Sequence, residues 1–191
     1  MNRLTLFLCL CVFVLPATAY ESTTKYDGHW WKALSADEQV AFVSGYYDCF
    51  IYDARGTEYS DDSLIQETKK VSEYYKSHSG SEDDLIIQVL HRLSTGKRHS
   101  GWKAEKHGEN DGDYWRQSSH SERDAFVRGY IVCQTTHLHA RFSRPIKTYV
   151  SAISKWYGVN DEDVSELSSK TGNDKIGDVL VRLRDGSTMN H

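Results

Sequence analysis

Apolar residues recur at helical spacing in several stretches of the chain, and each stretch is bracketed by a recognisable start. Ser35-Ala36-Asp37-Glu38 is an S-x-x-E capping box, and Val43, Tyr47, Phe50 and Ile51 follow on one face. Ser119-His120-Ser121-Glu122 repeats the box, followed by Phe126, Tyr130, Cys133 and His137. A second helix is predicted from Ser63, where Gln66 completes a similar box, with Leu64, Thr68, Val71 and Tyr75 on its apolar side. A third is predicted from near Ser81, with Leu85, Ile86, Val89, Leu90 and Leu93 on one face. Pro145 suits the first turn of a helix running to Tyr157, and Gly158 supplies its left-handed stop. A short piece around Val164–Leu167 precedes a last helix near Asp174–Arg184. Val179–Leu183 also reads as a short strand, but its counterpart Val89–Leu93 has helical spacing, so helix is preferred. The pattern predicts an all-α fold.

The counterpart exists because the chain repeats itself. A shift of 84 residues lays Asp27-Gly28-His29-Trp30-Trp31-Lys32 over Asp111-Gly112-Asp113-Tyr114-Trp115-Arg116. The same shift aligns Ser35 with Ser119, Glu38 with Glu122, Ala41-Phe42-Val43 with Ala125-Phe126-Val127, Gly45-Tyr46 with Gly129-Tyr130, and Cys49 with Cys133. From Asp27 to Cys49, 11 of 23 positions are identical, which excludes coincidence. Farther on, Tyr74-Tyr75 matches Trp156-Tyr157, and Asp84, Ile86, Val89-Leu90 and Arg92-Leu93 match Asp174, Ile176, Val179-Leu180 and Arg182-Leu183. The expectation is two tandem repeats of about three helices each, residues 20–94 and 111–191, packed with pseudo-twofold symmetry. A polar connector, residues 95–110, holds Trp102 as its only large apolar side chain.

Composition adds compartment and exclusions. With 39% hydrophobic residues, 26% charged and two prolines, the chain is neither disordered, collagen-like nor membrane-embedded. A net charge of −4 argues against nucleic acid, whose phosphates call for a basic surplus. Arg3, the apolar run Leu4–Leu15 and Pro16-Ala17-Thr18-Ala19 read as a cleaved signal peptide, residues 1–19. About a dozen apolar residues are too few for a membrane span, which needs about 20. Cys9 and Cys11 lie inside the apolar core, followed by Val12-Phe13-Val14-Leu15, which disfavours a lipoprotein signal. Removing Arg3 takes one positive charge and leaves −5 on a periplasmic or extracellular chain that keeps only Cys49 and Cys133.

Three features carry whatever chemistry is present. The stripe Ala41, Gly45, Cys49, repeated as Ala125, Gly129, Cys133, allows two helix backbones to approach closely, either within each unit or across the pseudo-twofold axis. In the second case Cys49 and Cys133, the only thiols left after export, meet as a disulfide. The opening motif pairs carboxylates Asp27 and Asp111 with Gly28, Trp31, Gly112 and Trp115. Carboxylates beside aromatics bind sugars, yet duplication favours a structural role in which Asp-Gly makes a turn and the Trp bodies cover a helix start. Among nine histidines, His137 and His139 stand two apart, pointing to opposite sides of a helix unless it has ended, and no HExxH or Cys-x-x-Cys occurs. Neither a metal nor a cofactor is expected. There is no G-x-S-x-G elbow and no phosphate-cradling glycine loop, so a non-catalytic protein is expected. A site, if one exists, belongs where the repeats differ: His29 against Asp113, Asp48 against Val132, and Tyr52-Asp53 against Thr136-His137.

An aromatic-Gly-Tyr helix (Phe42-Val43-Ser44-Gly45-Tyr46, and Phe126-Val127-Arg128-Gly129-Tyr130) is followed by Val71-x-x-Tyr74-Tyr75-x-x-His78 and an apolar helix. In an exported chain this succession resembles the small periplasmic immunity proteins that neutralise type VI secretion amidase effectors. The resemblance implies an α-helical inhibitor that blocks the cleft of another exported protein with an exposed loop. Gly56–Asp62 and Ser94–Asn110 are the candidate loops. The chain departs from that family in having two tandem units with one cysteine each, so a monomer with an internal pseudo-dimer stands in for the family's dimer. No individual inhibitory residue carries over. The alternative is a small-ligand-binding or enzymatic module with a site between the repeats.

Overall fold

The computed structural model describes residues 26–54, 61–94, 110–159 and 174–185. The expected signal peptide, residues 95–109 of the connector, residues 56–60 of the first candidate loop and the piece at Val164–Leu167 lie outside them. Eight α-helices and no strand occur among the described residues. The first half contains α1 (Gly28–Ala33), α2 (Ala36–Ala54), α3 (Asp61–Ser77) and α4 (Ile86–Ser94). The second contains α5 (Gly112–Gln117), α6 (His120–His137), α7 (Ile146–Trp156) and α8 (Ile176–Arg184). The fold is all-α, and Val179–Leu183 lies within helix α8.

Each half has one more helix than expected, because the opening motif is itself a six-residue helix and not merely a turn. Asp27 caps α1 by accepting from the Trp30 backbone N–H at 2.9 Å. Asp111 caps α5 by accepting from Asp113 and Tyr114 at 2.8 and 3.3 Å. The two S-x-x-E boxes start α2 and α6 as expected, with Ser35 N–H donating to Glu38 at 2.6 Å and Ser119 N–H donating to Glu122 at 2.5 Å. The start of the third helix differs from expectation. Ser81–Asp83 form a 3₁₀ turn, and α4 begins only at Ile86, whose N–H donates to the Tyr26 carbonyl at 2.8 Å. The Ile176 N–H meets the Asn110 carbonyl in the same way, also at 2.8 Å. Gly158, at φ 67°, stops the helix that follows Pro145.

The molecule is organised around the α2–α6 crossing. A Cβ added to Gly45 would lie 2.0 Å from the Phe126 carbonyl oxygen, and one added to Gly129 would lie 2.0 Å from that of Phe42. The small-residue stripe therefore serves contact between the halves, which decides between its two readings. At this closeness Cys49 and Cys133 sit with Cα atoms 6.1 Å apart and form a disulfide. Phe42, Val43, Phe126, Val127 and Tyr130 are fully buried around the crossing. On its flanks α3 packs on α2 and α4 on α3, while α7 packs on α6 and α8 lies against both α7 and α2. Trp31 and Trp115 anchor these layers, their indole N–H groups donating to Ser72 Oγ at 3.0 Å and Ser154 Oγ at 3.1 Å. One continuous hydrophobic core runs through both halves. No helix among the described residues is long and apolar enough to cross a membrane.

Candidate functional site

The residues singled out by sequence asymmetry fall into separate environments. His29 is exposed on α1, with Nε2 3.9 Å from Asp83. Asp48, on α2, accepts from Asn110 Nδ2 at 3.2 Å, and the Ser44 hydroxyl donates to the amide oxygen of Asn110 at 3.3 Å. The Asp48 carboxylate faces the first turn of α8, where a Cβ on Gly177 would come within 2.9 Å of it. Desolvation pushes the Asp48 carboxyl up to about 6, against the opposing effects of Asn110 and Lys175, while Asp178 adds to the rise. Its counterpart Val132 is buried among apolar side chains. His137 ends α6 and its Nε2 hydrogen-bonds the Tyr46 hydroxyl at 3.1 Å; burial lowers its pKa, and His91 adds to the lowering. The side chain of Asp53 lies outside the described residues. The asymmetric positions thus do not form one constellation.

The opening-motif carboxylates are committed to helix caps, and Gly28 packs against the ring of Tyr75, where a Cβ would lie 2.6 Å away. His137 and His139 straddle the end of α6, with His139 at φ 52° and exposed. Among the described residues, no group of three or more His, Cys, Asp or Glu side chains is placed to hold a metal ion.

What the asymmetry argument missed is an open cleft of about 430 Å³ between the halves. Tyr26, Trp30, Leu34 and Glu38 line one side, and the first turns of α6, from His120 to Arg128, line the other. Arg128 forms an ion pair with Asp124 and donates to the Tyr26 hydroxyl at 3.0 Å, its guanidinium 5.9 Å from the centre of that ring. Glu38 is held ionised by the Ser35 backbone N–H, with further help from the Ser35 and Ser121 hydroxyls. Trp30 packs edge-on against Tyr26 and Phe42, ring centres 4.7 and 5.2 Å away. The indole N–H groups of Trp31, Trp115 and Trp156 have acceptors in Ser72, Ser154 and Asp174. That of Trp30 has none among the described residues.

The signal for this cleft was present in the 84-residue alignment. Trp30, Leu34, His120, Asp124 and Arg128 are paired there with Tyr114, Ser118, Ala36, Val40 and Ser44. These differences are scattered along the chain and gather only when α1 meets α6. No protein-family model, curated relative or solved structure matches the chain.

Proposed function

We propose that the protein is an exported, non-catalytic binding protein in which two copies of one helical unit, fused in a single chain, form a pseudo-twofold dimer. The partner is another exported protein, which it binds and neutralises in the manner of the immunity proteins it resembles. The supporting observation is the α2–α6 junction. Gly45 meets Phe126 as Gly129 meets Phe42, and the Cys49–Cys133 bond locks the pair, which gives a rigid surface that loses little entropy on binding. Co-purification from envelope extract, followed by mass spectrometry, tests the proposal. A single exported partner in comparable amount is expected. Recovery of no partner, together with a tightly bound small molecule, contradicts it.

A second reading, a small-ligand module with its site between the units, is favoured by the cleft between α1 and α6, whose lining differs from the matching positions of the other junction.

A further inference from the structure

We propose that the cleft between α1 and α6 binds a saccharide through one face of a neutral pyranose ring. The proposal rests on the second reading above and is independent of whether a protein partner is bound elsewhere. Its volume, about 430 Å³, falls within the range of roughly 300–1,000 Å³ common for small-ligand sites.

At the matching junction Ser44 bonds Asn110, which in turn bonds Asp48, and this network occupies the place that Arg128 and Tyr26 take at the cleft. Helix packing is therefore satisfied with small polar groups at these positions. The Asp124–Arg128 ion pair, which stands where the other junction has Val40 and Ser44, exceeds what packing requires.

Trp30 and Leu34 offer apolar wall. The Trp30 indole N–H, half-exposed at the open cleft and with no acceptor among the described residues, is available to donate to a ligand. Glu38 and Asp124, both carboxylates, accept hydrogen bonds and donate none when ionised. A matching ligand must give an apolar face together with groups that both donate and accept, and vicinal hydroxyls on a pyranose do this. A cation such as a lysine head donates but offers the indole no acceptor. An anion brings no donor and meets two carboxylates. Asp124 is paired with Arg128, and the one formal negative charge left, on Glu38, accepts from the Ser35 N–H and a ligand hydroxyl alike, which disfavours an anion and suits a neutral sugar.

Titration of the disulfide-intact protein with glucose, N-acetylglucosamine, maltotriose and chitotriose, followed by the indole N–H signals in ¹H–¹⁵N spectra, tests the proposal. Trialanine serves as a control because a peptide also donates and accepts. At least one sugar is expected to shift the Trp30 indole signal saturably and leave those of Trp31 and Trp115 in place. Trp30→Tyr, whose binding is followed by titration calorimetry because the reporting indole is gone, and the double change Asp124→Val with Arg128→Ser, followed by the Trp30 signal, install what the matching junction carries and are expected to weaken that binding at least tenfold. Unchanged Trp31 and Trp115 signals verify that both variants fold. Absence of a saturable shift with every sugar overturns the proposal, as does an equal response to trialanine or full retention in Trp30→Tyr. If the wild type captures an exported partner yet no sugar shifts Trp30, the saccharide site fails while the partner-binding reading stands.

Discussion

Gly45 lies so close to the main chain of Phe126 that a methyl group in place of its hydrogen would sit 2.0 Å from the Phe126 carbonyl oxygen. The obstacle is backbone, which cannot rotate aside as a side chain can. Gly45→Ala therefore pushes the two helices apart, and the same holds for Gly129→Ala against Phe42. Each substitution is expected to destabilise by roughly 2–3 kcal/mol, outweighing the ~1 kcal/mol that alanine gains in helix propensity. Denaturant unfolding of the two variants measures it, and near-equal losses support equivalent roles for the two glycines.

The disulfide closes a long loop between the halves, residues 49 to 133. Replacing both cysteines by serine is expected to cost roughly 4 kcal/mol on the chain-entropy account, read from unfolding midpoints with and without reductant. The wild type in reductant should approach the double variant.

Asp48 makes stability depend on pH in an unusual direction for a carboxylate. Its folded pKa of about 6 stands above the ordinary 3.8, so the native state holds the proton more tightly than the unfolded chain does. The stabilising contribution is complete below about pH 3.8 and is lost as pH rises through about 6. Asp48→Asn keeps an oxygen for Asn110 and removes the buried charge. It is expected to stabilise the protein above pH 7 by up to roughly 3 kcal/mol and to change little near pH 4, as measured by melting across pH.

Asp27 and Asp111 act as helix caps, so Asp27→Ala and Asp111→Ala should each cost about 1 kcal/mol, the usual value of a lost N-cap. Equilibrium unfolding checks this. A loss well above that value in only one of the two would mark that carboxylate as serving more than the cap.

The long helices were legible because their signals are local. The Ser35 and Ser119 boxes, the spacing of Phe126 and Tyr130, and Gly158 after α7 all act within one or two turns. The Ala-Gly-Cys stripe was legible as a close contact, but only the crossing shows that it faces the other half. Helix α1 was read as a turn because six residues are too few to display a period. The late start of α4 depends on the Tyr26 carbonyl, and the Tyr75 hydroxyl donates to the Asp84 carbonyl at 2.9 Å; neither partner can be seen from residues 81–90 alone. The cleft was hidden for the same reason, since Trp30 and Arg128 lie about a hundred positions apart in the chain.

The central claim, two fused units clamped face to face outside the cytoplasm, is tested most directly by peptide mapping under non-reducing conditions of the protein recovered from the cell envelope. The account predicts a chain beginning at Tyr20 in which the peptide carrying Cys49 is covalently joined to the peptide carrying Cys133 of the same molecule. Two free thiols on the recovered chain, or Cys49 bonded to a different molecule, would contradict it.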